Sequence, residues 1–287
     1  MRWSILSLFL LACSGKPDSG AVDADADTDT DTDTDSDTDT DTDGDADADT
    51  DADTDADTDT DTAPDPDSDA DGDGLTWAQE QKHGTDPDVA DTDGDGTNDG
   101  DEIAAGTNPL YVYSRPYIGD YNVGLCEEGI AEGTAGPSGS YDGHAVYEVG
   151  DIAENFTLPD QYGDDLDLYS FCGRTVFLSF SATHCPTCFE DAARMQAEMD
   201  KWGASYDLQL MQVLVDSWMD QPSVAIWANE AGMVTVPALA GPESAADAEV
   251  LKWEHDPYIP SNFVIGPDMT VLGIEVYAPN PDEWIKE

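Results

Sequence analysis

Thr175-Val176-Phe177-Leu178-Ser179-Phe180-Ser181-Ala182-Thr183-His184-Cys185-Pro186-Thr187-Cys188 decides how the C-terminal half of the chain is read. Thr175 to Phe180 is a short, mostly apolar run, suited to a strand buried on both faces. Pro186 then sits where a first helical turn begins. A helix is expected from Pro186 to Trp202, with Gly203 just past its end. Cys185 therefore falls at the junction of strand and helix. Unpaired N–H groups at a helix N-terminus carry partial positive charge, which stabilises a thiolate there. Cys188 lies one turn along, close enough to attack a mixed disulfide formed at Cys185. This assigns Cys185 as the nucleophile and Cys188 as the resolving thiol.

Working outward, Leu208 to Val215 reads as a second buried strand and Val224 to Ala231 as a second helix. Asn262 to Gly266 and Thr270 to Val276 look like two strands joined by a turn at Gly266-Pro267-Asp268, and Asp282 to Lys286 begins a terminal helix. The alternation predicts an α/β domain over residues 149–287, a mixed central sheet flanked by helices. Trp202, Trp218, Trp227 and Trp253 fit its core or groove walls better than a cofactor box.

A family resemblance strengthens this reading. Val149-Gly150-Asp151, Phe156-Thr157-Leu158-Pro159-Asp160, Cys172-Gly173-Arg174, the Phe180–Cys188 stretch and Ile259-Pro260-Ser261-Asn262-Phe263-Val264-Ile265 fall in the order seen in TlpA/ResA-like redoxins. The domain resembles that branch of the thioredoxin superfamily. The resemblance implies a thioredoxin-like fold and a thiol-disulfide oxidoreductase working through Cys-Pro-Thr-Cys. Its substrates would be protein disulfides or dithiols, with a membrane thiol as electron donor and no cofactor in the redox domain. It also implies a cis-proline at Pro260, with Ile259 offering its backbone to substrate and Pro186 and Thr187 bordering the substrate.

Two departures stand out. His184 occupies the place of an aromatic residue, usually Trp, and Ser179 that of a buried acid, so proton transfer at Cys188 needs another group or water. His184 reads either as a cation favouring the reduced pair or as a solvent-facing substitution. Other readings stay open at this point: a static Cys185–Cys188 bridge in a calcium-binding interaction module, or a zinc or copper site. Zinc wants a second Cys or His pair, which Cys126, Cys172, His144 and His255 do not form. A peroxidase would need Thr where Ala182 stands.

The N-terminus has Arg2, an apolar run from Ile5 to Leu11 broken by Ser7, and then Ala12-Cys13, the parts of an export signal over residues 1–12. The run is too short to span a membrane, which takes about 20 apolar residues. Leu10-Leu11-Ala12-Cys13 resembles the lipobox of bacterial lipoproteins, which implies acylation of Cys13 and a lipid membrane as partner. Ser14 after the cysteine implies the outer membrane, with the protein facing the periplasm or the cell surface. Residues 13–66 then read as a disordered tether, because Asp occupies every odd position from Asp23 to Asp61. The net charge of −56, with only nine Lys and Arg, excludes a nucleic-acid partner.

Residues 67–110 repeat with a shift of 22. Asp69, Asp71, Asp73, Gly74 and Glu80 recur as Asp91, Asp93, Asp95, Gly96 and Glu102, and Gly84-Thr85-Asp86-Pro87 recurs as Gly106-Thr107-Asn108-Pro109. Carboxylates at loop positions 1, 3, 5 and 12 with Gly at 6 give the spacing of a calcium loop, and Leu75 or Thr97 at position 7 would add a backbone carbonyl. The flanks are too short and polar for EF-hand helix pairs. The region resembles thrombospondin type 3 repeats, in which Ca2+ stands in for a hydrophobic core. Residues 111–148, rich in Gly and Tyr, read as a connecting segment on the domain edge. Setting Cys13 and the redox pair aside leaves Cys126 and Cys172 as candidates for a structural disulfide, with mixed connectivities open.

Overall fold

The structure, a computed structural model, describes residues 64–203, 205–216, 221–241, 250–253 and 259–276. The export signal, Cys13, the tether as far as residue 63, Trp218, His255 and the expected terminal helix lie outside the described residues.

Two short helices, α1 (Trp77–His83) and α2 (Asp99–Ala105), come first, one after each acidic loop. Both stop at a left-handed glycine, Gly84 and Gly106, where the chain turns away without a Cβ penalty. Two hairpins follow, β1 (Gly139–Tyr141) with β2 (His144–Val146), and β3 (Thr157–Pro159) with β4 (Asp165–Asp167). The chain then runs β5 (Thr175–Ser181), α3 (Pro186–Trp202), β6 (Leu208–Leu214), α4 (Gln221–Ala231), β7 (Ala238–Ala240), β8 (Ser261–Ile265) and β9 (Val271–Ile274). Gly203 after α3 keeps a right-handed φ of −48°, so it ends the helix without a left-handed cap.

β5 to β9 form one sheet in the order β7-β6-β5-β8-β9. β5, β6 and β7 run parallel, as crossover helices require, while β8 pairs antiparallel with both β5 and β9. This mixed sheet, with the helix after β5 packed on it, is a thioredoxin-like fold. All seven residues of β5 and all seven of β6 are buried, which explains why both read as near-continuous apolar runs.

Alternation along β5 splits the core in two. Phe177 turns to the face covered by α3 and α4, with Cys188, Met195, Leu210 and Trp227. Val176, Leu178 and Phe180 turn to the other face, with Phe171, Trp253 and Phe263. Fully buried side chains of this size contribute roughly 1.5–3 kcal/mol each by leaving water. The connecting segment sits deeper than an edge: Tyr117, Tyr121, Val123 and Tyr147 belong to this second cluster. Cys126 is joined to Cys172. Asp160 organises the turn between β3 and β4, accepting from the backbone N–H groups of Tyr162, Gly163 and Asp164 and from the Tyr121 hydroxyl.

Candidate active site

β5 delivers the chain to a loop, Ala182-Thr183-His184, and Cys185 caps α3 in an extended conformation. Its Sγ accepts a hydrogen bond from the Cys188 N–H at 3.1 Å. An anion on that sulfur is favoured by this donor and by the helix end. Cys185 is joined to Cys188, and the two differ in access: Cys185 is half-buried, whereas Cys188 is fully buried. An incoming thiolate therefore meets Cys185 first.

The Ile259–Pro260 bond is cis, and the Ile259 carbonyl oxygen lies 3.9 Å from Cys185 Sγ. Pro186 and Phe189 from the start of α3, with Ile226, Trp227 and Glu230 from α4, line a cleft of about 430 Å³ beside Cys185. Ile226 is exposed there, and Phe189 meets Trp227 edge to face with centroids 5.1 Å apart. Thr187 is exposed on the first turn of α3 and does not line this cleft. A larger cavity, about 610 Å³, lies beside Cys126, Gly173 and Asp268. It opens at the Thr175 end of β5, away from Cys185, and its one sulfur is already paired.

His184 is exposed, yet its Nδ1 lies 3.1 Å from Asp216 Oδ1. Asp216 is buried two residues beyond the end of β6, and its Oδ2 also accepts from the Thr183 N–H and hydroxyl. One carboxylate thus fixes the loop that presents Cys185. Asp216 is not among the residues the sequence singles out, although an acid directly after an apolar strand, at the carboxyl end of a sheet, is a usable signal. Beneath Cys188 the polar groups are neutral: Gln212 Nε2 donates to Ser181 Oγ at 2.9 Å, and Gln212 Oε1 accepts from Trp227 Nε1 at 2.9 Å. Ser179, at the position of the family's buried acid, is itself buried and pairs across the sheet with Gln212 and Asn262.

A second constellation lies in the repeats. Asp69, Asp71 and Asp73 bring carboxylate oxygens within 4.8 Å of one another, as do Asp91, Asp93 and Asp95. Gly74 and Gly96 take φ of 97° and 98°, the sharp turn that position 6 requires. Glu80 and Glu102 are wholly buried. Both oxygens of Glu80, and one each of Asp71, Asp93, Asp95 and Glu102, are buried without a hydrogen-bond partner. Oxygens kept from water in this way suit a divalent cation, which takes six to eight of them. Burial first, then the surrounding aspartates, push Glu80 up to about 7 and Glu102 up to about 8. Asp93 is raised to about 6, again mainly by burial. Leu75 and Thr97, the position-7 residues, donate their N–H groups to Asp73 and Asp95. Asp99, also missed in the sequence, joins Asp73 and Glu80 in a third carboxylate group.

Residues 149–274 match the AhpC/TSA family, and residues 69–87 and 91–110 match the bacterial TSP3 repeat. Among solved structures, the thioredoxin domain of a thiol-disulfide oxidoreductase from Bacteroides vulgatus is 14% identical, covering 46% of this chain and 90% of that one (TM-score 0.40). A thiol:disulfide interchange protein of the thioredoxin family from Chlorobium tepidum is 21% identical over 47% and 91% (TM-score 0.39). A thiol-disulfide oxidoreductase from Bacteroides fragilis is 16% identical over 45% and 92% (TM-score 0.37). Among curated proteins none matches the chain.

Proposed function

We propose that residues 149–274, which match the AhpC/TSA family, are a thiol-disulfide oxidoreductase-like redoxin domain of the thioredoxin superfamily, and that the protein exchanges disulfides outside the cytoplasm through Cys185 and Cys188. The carrying observation is the placement of Cys185: half-exposed, at a helix N-terminus, with an N–H donor on its sulfur and an open cleft beside it.

In the oxidising direction, a substrate thiolate attacks Cys185 Sγ. The Cys185–Cys188 bond breaks, and its electron pair leaves with Cys188, which takes a proton. A second substrate thiolate then attacks the sulfur of the substrate already bound to Cys185. A substrate disulfide leaves, and Cys185 departs as thiolate. Two electrons have passed from substrate to protein, and the reverse sequence reduces a substrate disulfide. Cys188, sealed in the core, is reached from within the molecule after the bond opens. His184, held by Asp216 at the mouth of the cleft, is positioned beside the charge that develops on Cys185.

Equilibration against glutathione and dithiol buffers, read by alkylation shift, tests this reading. A reversible couple between about −270 and −120 mV, the span of known exchange proteins, is the expected result. A bond that stays closed below about −300 mV would mark it as a static bridge.

The remaining parts of the proposal concern where the domain works. The lipobox-like Leu10-Leu11-Ala12-Cys13 supports a lipid anchor in the cell envelope, at the outer membrane. In the native cell, a Cys13→Ser protein should then leave the membrane fraction; retention there would defeat the anchor. The buried, unpartnered carboxylate oxygens of the repeats fit Ca2+, with Asp69, Asp71, Asp73 and Glu80 holding one ion and Asp91, Asp93, Asp95 and Glu102 another. Bound calcium would neutralise the buried charge and stiffen this part of the stalk.

A further inference from the structure

Asp99 does not belong to the first loop, yet it faces it. One oxygen each from Asp73, Glu80 and Asp99 lies within 4.8 Å of the other two. Calcium binds oxygens at about 2.3–2.6 Å, so ligands of one ion lie no farther than roughly 5 Å apart. Glu80 is wholly buried, and neither of its oxygens has a hydrogen-bond partner. That side chain points into the group with nothing to satisfy it. Asp99 is equally buried and is held in orientation by the second repeat, where Thr92 donates its N–H to Oδ1 and its hydroxyl to Oδ2. Each of its oxygens keeps a further lone pair.

The backbone of the second repeat closes the approach. Gly100 N–H donates to Asp73 Oδ2 at 3.0 Å. A Cβ at Gly100 would stand 2.3 Å from the Asp73 carbonyl oxygen, so only glycine allows the two repeats to come this near. The second loop has no such visitor: among the described residues its group holds only Asp91, Asp93 and Asp95.

We infer that the cation of the first loop is shared between repeats, with Asp99 as a ligand donated by the second, so that one ion fastens the two repeats to each other. This rests on the calcium reading and adds to it an inter-repeat ligand. The two calcium loops are then unequal. The first is completed from outside, and its occupancy orders both repeats together.

Terbium luminescence in the full-length protein tests this locally, because Trp77 is the one indole within residues 69–110 and stands at position 9 of the first loop. Excited where tyrosine does not absorb, Trp77 should sensitise terbium in a saturable way that calcium reverses. Asp99→Asn should weaken terbium and calcium there by about tenfold or more, since affinity follows ligand charge. Asp101→Asn, an exposed neighbour carrying the same change in charge, should not. Melting of Asp99→Asn should match the parent in chelator and fall below it in calcium.

Parental affinity in Asp99→Asn, with binding abolished in Asp73→Asn, would overturn the sharing while the calcium reading stands. An equal loss of melting temperature with and without calcium would overturn it too, by showing a purely structural role. If the parent protein gives no saturable signal, the calcium reading and the sharing fall together.

Discussion

Cys185→Ser should bring disulfide exchange down to the uncatalysed rate, while Cys188→Ser should accumulate mixed disulfides with its substrates. The asymmetry follows from burial. The Cys185 sulfur opens on the cleft and is stabilised as an anion by the Cys188 N–H. The Cys188 sulfur is packed with Phe177, Ala192 and Met195 and meets no solvent. Serine at 185 leaves no accessible nucleophile. Serine at 188 keeps the attacking sulfur and removes the thiolate that releases the substrate, so the first covalent product persists. Non-reducing gels and an insulin-type reduction assay separate the two variants. Equal residual activity in both would contradict the assigned roles.

In the absence of calcium, the repeats should lose stability as pH rises from about 5 to about 8; on the proposed binding of calcium, they should gain it. Glu80 and Glu102 sit above the ordinary carboxylate value of 4.5, at about 7 and about 8, because burial and the nearby aspartates oppose their ionisation. A raised value means that the folded state holds the proton more tightly than the unfolded one does. The stability it supplies is fully present below 4.5 and is lost as pH climbs through 7 and 8. The loss grows across this range, at most on the order of 1.4 kcal/mol for each factor of ten in proton affinity. Calcium bound at these carboxylates would replace those protons, and proton competition would then weaken its binding at low pH. Melts of the repeats, followed by amide hydrogen exchange within residues 69–110 at about pH 5 and about pH 8, in chelator and in calcium, should show opposite slopes. A melt in chelator indifferent to pH would rule this out.

The parts of the fold that the sequence exposes are those whose physics is local. β5, α3 and β6 are legible to within about a residue, because continuous apolar runs and a proline-started helix leave little else for the chain to do. The three-residue strands β3, β4 and β7 carry too little pattern to be seen: they exist through their partners, and Ala238–Ala240 is a strand only because Gln212–Leu214 lies beside it. Tyr117, Tyr121 and Tyr147 look like loop residues until the uncovered sheet face calls for them. The site divides in the same way. Cys185 and Cys188, and the carboxylates of the two loops, stand at fixed short spacings. Asp216 meets Thr183 and His184 from 33 and 32 residues away. Asp99 is hidden by the abundance of aspartate around it, and only the folded arrangement sets it apart from Asp101.

The Cys126–Cys172 bond also decides how the domain takes a mechanical pull from its N-terminal side. Force travelling along the backbone reaches Cys126 and crosses to Cys172, three residues before the central strand begins at Thr175. Both hairpins and most of the connecting segment lie inside the bypassed loop and carry no load. Tension applied on the N-terminal side of Cys126 would therefore be delivered to the central strand β5, at the end opposite Cys185.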